Sequence, residues 1–131
     1  MALPSLCKTL VWVPSLLVPD AYGPEHRDTL TARGRLAYWT GEAGDVAAAR
    51  DLFAALLLAR ERVSGAEHPD TLTVRAYLAH WTGEAGDPAA ARDLFGALLP
   101  VRERVSGPEH PNTVTVRTNL ATWARQASQL T

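Results

Sequence analysis

The chain has 131 residues, 47% of them apolar and 21% charged, with a formal net charge of −1, which suits one soluble domain burying roughly two-thirds of its unfolded surface. A lone Cys7 excludes an internal disulfide. Near-neutral charge argues against the basic footprint that holds nucleic acid or anionic membrane.

Residues 1–22 come first and differ from everything after them. Leu10-Val11-Trp12-Val13 and Leu16-Leu17-Val18 are divided by Pro14 and closed by Pro19, too short for a membrane span of about 20 apolar residues. Lys8 ahead of an apolar run is a feature of secretory signals, but no small-x-small cleavage site follows. The segment is expected to cap the open apolar side of the first helix, as solenoid ends require. Left uncapped, such surface would support self-association.

From Gly23 the sequence repeats. Residues 23–64 and 65–106 match at 32 of 42 aligned positions, and a third copy, 107–131, stops halfway. Within a unit, Val74, Leu78, Trp81 and Ala85 recur at helical spacing and predict helix A. Ala91, Leu94, Phe95, Leu98, Val101 and Val105 predict helix B. Gly83 and Gly86 interrupt the pattern between them, and Asp87-Pro88 supplies an N-cap and a first-turn proline. His68, Pro69 and Asp70 make a similar entrance to helix A, with acid near the positive end of the helix dipole. Gly65 is placed to take a left-handed conformation after helix B. Pro100 is expected to kink the second helix B, with Gly96 four residues back relieving the crowding. In the third copy, Arg125, Gln126, Ser128 and Gln129 replace the glycine turn and predict a polar last helix.

The pattern Leu78-Ala79, Gly86-Asp87, Ala91 and Phe95 resembles the signature of the tetratricopeptide repeat. The 42-residue period and the run from Gly107 to Thr113 are similar to the longer variant of kinesin light chains, also found in actinobacterial proteins. The resemblance implies an all-α solenoid of helix-turn-helix repeats winding into a right-handed superhelix. It also implies that the A helices line a concave surface holding an extended peptide, and it places Asn119 where the family's backbone-binding Asn lies.

Copies that differ only in places separate framework from candidate surface. Between the full units, helix A differs at Ala32/Val74, Gly34/Ala76, Arg35/Tyr77 and Tyr38/His80. The last three share one face, expected to lie opposite the Leu–Trp stripe. The third unit has Thr118, Asn119 and Thr122 there. Arg35, Tyr38, Tyr77, His80 and Asn119 are therefore the candidate ligand-binding residues, of the side-chain types that dominate interface energetics. Drift at solvated positions is the alternative reading of the same differences.

Other repeated residues have structural readings. Trp39, Trp81 and Trp123 are expected in the inter-helix core. His26, His68 and His110 are expected at helix entrances, since equivalent points in stacked hairpins lie about 10 Å apart, too far to share a metal. The two GEAGD runs have no following Lys-Ser/Thr and no preceding strand, as a phosphate loop would need. Arg60-Glu61-Arg62 and Arg102-Glu103-Arg104 read as a solvated face of mixed charge. No recurring carboxylate pair supports acid–base catalysis. The expectation is a cytoplasmic, non-catalytic scaffold without a cofactor, binding a protein or extended peptide but neither nucleic acid nor membrane. The alternative is an assembly module forming homo-oligomers through apolar ends.

Overall fold

The protein is described here by a computed structural model over residues 25–130; the expected capping segment, residues 1–22, lies outside them. Five helices follow in order: α1 (Arg27–Glu42), α2 (Val46–Ser64), α3 (Pro69–Glu84), α4 (Pro88–Ser106) and α5 (Pro111–Gln129). Each helix packs on the next in sequence, so the architecture is an all-α helical-repeat solenoid. The A helices α1, α3 and α5 also touch one another in turn, whereas the B helices α2 and α4 do not meet. The A layer is therefore the more closely spaced of the two.

Local chemistry fixes the ends of each helix. The Asp45 and Asp87 carboxylates cap α2 and α4, accepting from the Ala48 and Ala90 amides at 3.2 and 3.0 Å. At the A helices the cap is histidine: Nδ1 of His26, His68 and His110 accepts the amide two residues on, each at 3.1 Å. The repeated histidines thus stand at helix entrances, as expected. Gly65 ends α2 at φ 95° and ψ 157°, not in the compact left-handed region foreseen from sequence. That extended, positive-φ conformation is essentially open to glycine alone. Helix α4 runs unbroken through Pro100 and has the same 19 residues as α2. Helix α5, lacking the glycine turn, extends to 19 residues where α1 and α3 have 16.

Two apolar clusters fill the stack, one around Phe53 and Leu56 and the other around Phe95 and Leu98. The B-helix stripe read from sequence is shifted in part. Ala91, Phe95 and Leu98 are buried, but Leu94 and Val105 are exposed, and the buried position in the last turns belongs to Arg102. A helical stripe drifts around the axis over five turns, so its last members leave the core face.

Gly83 is not a turn residue; it lies inside α3, and Gly41 lies likewise inside α1. Each is a seat for the tryptophan of the following repeat. A Cβ on Gly41 would meet the Trp81 ring at 2.6 Å, and one on Gly83 would meet the Trp123 ring at 2.6 Å. Trp81 and Trp123 are accordingly buried. Trp39 departs from the core placement expected of all three: it is 65% exposed. At the other end the repeat position of Gly83 is held by Arg125.

Candidate functional site

Side chains from successive A helices converge on the face of the solenoid that the A layer forms. Tyr38 from α1, Tyr77 and His80 from α3, and Asn119 from α5 line one cavity of about 370 Å³. Arg35 lines a neighbouring cavity of about 410 Å³, and Tyr38 and Tyr77 border both. Four of the five candidate residues thus share one cavity, and the fifth lies next to it along the same face. Thr118 and Thr122 do not line either cavity.

The aromatic members are held by the core beneath them. The Tyr77 ring stacks on Phe53 at 5.2 Å with 15° between the planes, and the Tyr38 ring meets Tyr77 edge-on at 5.9 Å. The His80 ring packs edge-on against Trp81 at 4.8 Å. This face therefore does not stand clear of the core, as the helical spacing implied; its aromatics rest on core residues and are pre-positioned by them.

The floor of each cavity holds an arginine that sequence alone assigned to a solvated surface. Arg60 lines the larger cavity and Arg102 the smaller, and they are only 6% and 2% exposed. Each guanidinium reaches from a B helix to the first turns of an A helix. Arg60 Nη2 donates to Thr31 Oγ1 at 3.1 Å, and Arg102 Nη2 donates to Thr73 Oγ1 at 3.0 Å. Those hydroxyls donate in turn to the Arg27 and Pro69 carbonyls. The arginine main chain is tied as well: Thr71 and Thr113 hydroxyls donate to the Arg60 and Arg102 carbonyls. In both arginines Nε and Nη1 are buried without a hydrogen-bond partner. Burial pushes the Arg102 pKa down from its ordinary value, but a guanidinium stays charged at neutral pH.

The outer arginines of these runs, Arg62 and Arg104, are exposed and pair with glutamates near the entrances of the A helices. Arg104 makes a bidentate bridge to Glu67, at 2.7 and 2.8 Å, and Arg62 bridges Glu25 in the unit before. The Arg62 hydrogen bond holds the Glu25 carboxyl below its ordinary value. Among the described residues, no group of three or more His, Cys, Asp or Glu could hold a metal ion.

The signal for the buried arginines was present in the repeat itself. Arg60 and Arg102 recur at the same register as Thr31 and Thr73, and neither pair differs between units. Comparing copies only where they disagree passes over such residues.

A tetratricopeptide repeat profile matches residues 28–103 and again residues 77–131. Together the matches cover most of the chain, which belongs to the tetratricopeptide repeat family. Repeats of this family are in general protein-interaction scaffolds. A comparison with curated proteins returned no match. No helix among the described residues is long and apolar enough to cross a membrane.

Proposed function

We propose that the protein is a non-catalytic scaffold that binds an extended peptide segment of another protein along the face formed by α1, α3 and α5. The observation that carries this reading is the convergence of Tyr38, Tyr77, His80 and Asn119, from three helices, on one cavity that borders a second. The closer spacing of the A helices supports a concave shape for that face. The mixture of aromatic rings, Arg35 and an uncommitted amide suits a peptide, whose backbone and side chains offer both apolar area and hydrogen-bonding groups.

The test uses short random peptides displayed and selected on the full chain. The side chains of Arg35 and Asn119 make no hydrogen bond within the described residues, so the double variant Arg35→Ala with Asn119→Ala is expected to fold and unfold as the parent does. It should bind the selected peptides about tenfold more weakly, the loss of about 1.4 kcal/mol of contact energy. Unchanged affinity in a folded double variant contradicts the groove reading.

A further inference from the structure

The two floor arginines are copies of one device with a single difference. Arg60 Nη1 lies 3.8 Å from the Asp70 carboxylate, which stands at the solvent side of the cavity with half of its side chain exposed. The repeat equivalent of Asp70 is Asn112, so the same position over Arg102 carries no charge. Among the described residues no carboxylate pairs with Arg102, and its Nε and Nη1 have no partner. Glu42 lines the same cavity, but it follows Thr31, the equivalent of Thr73, by eleven residues. At 1.5 Å per residue that places it about 16 Å further along the A-helix direction.

Two further features favour an anion at the Arg102 end of the cavity. The first turn of α5 begins beside it, where the Thr113 hydroxyl bonds the Arg102 carbonyl, and a helix N-terminus carries partial positive charge. Arg102 is also the more deeply buried of the two guanidinium groups. A buried charge without a counter-charge is costly, and a carboxylate brought to it relieves that cost.

We infer that Arg102 forms a subsite for a ligand carboxylate, so that the groove between α3 and α5 selects a peptide with an acidic side chain at one fixed position. The approach is demonstrated within the chain itself, because Asp70 reaches the equivalent arginine from the solvent side. The groove between α1 and α3 lacks this selectivity, since the Asp70 carboxylate already stands 3.8 Å from Arg60. One peptide thereby meets an acid-selecting subsite at one end of the groove and one already faced by Asp70 at the other. This inference rests on the proposed peptide-binding reading and adds a charge preference to it.

The experiment is peptide selection on the parent chain and on two reciprocal variants, followed by affinity measurement for paired peptides carrying Glu or Gln at the enriched position. The parent should enrich Asp or Glu at one position and prefer the Glu peptide by about tenfold. Asn112→Asp should abolish that preference while still binding peptides through the aromatic groove. It should also unfold at a higher temperature than the parent, because the new carboxylate pairs with Arg102 inside the fold. Asp70→Asn should gain a second acidic preference, displaced along the peptide from the first. Peptides that bind the parent and depend on Asn119 but show no acidic preference overturn the Arg102 subsite and leave the groove reading standing. If an acidic preference persists in folded Asn112→Asp, the carboxylate sits elsewhere and the assignment is overturned. If the parent selects no peptide dependent on the groove residues, both readings fall together.

Discussion

Arg60 and Arg102 show how much an arginine's surroundings decide its worth. Both bury a guanidinium with two unpartnered nitrogens, but only Arg60 has a carboxylate nearby. Replacing a buried, poorly compensated charge with an apolar side chain is often neutral or stabilising, whereas breaking a charge pair is not. Arg102→Met is therefore expected to leave stability unchanged or raise it. Arg60→Met should be less favourable by about 1 kcal/mol, the order of one lost charge-assisted contact. Urea unfolding of the two variants checks the difference; equal effects would mean that Asp70 contributes nothing to Arg60. The exposed Glu25–Arg62 bridge has a defined pH sign. Because the Glu25 pKa is lowered in the fold, any contribution is present above the ordinary glutamate value and is lost as pH falls through the lower folded value. Glu25→Gln should flatten that part of the acid-unfolding curve, and only slightly, since exposed pairs contribute little.

At the scale of the element, the helices were legible because their signals are local. Asp87-Pro88, the repeated His-Pro dipeptides and the glycines after helix B each act within a turn of where they stand, and the caps appear where they were expected. The role of Gly41 and Gly83 was not legible, because the tryptophan that requires each one lies 40 residues later. A glycine two residues before a turn looks like part of the turn until the next repeat is stacked on it. Two effects compete in Gly83→Ala. Alanine gains about 1 kcal/mol of helix propensity over glycine, but its Cβ would meet the rigid, buried Trp123 ring at 2.6 Å. Overpacking of this kind costs about 1–3 kcal/mol, so the clash is expected to win and Gly83→Ala to destabilise. Trp123→Ala should cost about 3–5 kcal/mol, and Trp39→Ala, at a site 65% exposed, less than about 1 kcal/mol. Denaturant midpoints for the three variants decide the matter; a stabilised Gly83→Ala would refute the seat.

Across the whole molecule, the described helices touch only their sequence neighbours and the adjacent A helix. Stability in such a stack is close to a sum of unit and nearest-neighbour contributions. Helices α3 and α4 have a neighbouring helix on both sides, and α5 on one. Their amides are expected to exchange with solvent more slowly than those in the C-terminal half of α5, and hydrogen exchange under native conditions measures this. Uniform protection would show instead that the array opens as one unit. The same linearity explains which parts of the groove the sequence disclosed. Tyr38, Tyr77, His80 and Asn119 stand out because they vary between copies that are otherwise alike. Arg102 does not vary, and its meaning depends on Asn112 replacing Asp70 in the next unit. That substitution is visible in the sequence, but its consequence appears only when α4 and α5 are packed together.

The central claim is that the A-helix face is where a peptide lies. Backbone amide chemical shifts of the full chain, recorded during titration with a peptide selected on it, test this most directly. The account predicts that the largest changes fall at Tyr38, Tyr77, His80 and Asn119 and in the first turn of α5. Changes concentrated on the outer faces of α2 and α4, with these residues unmoved, would contradict it.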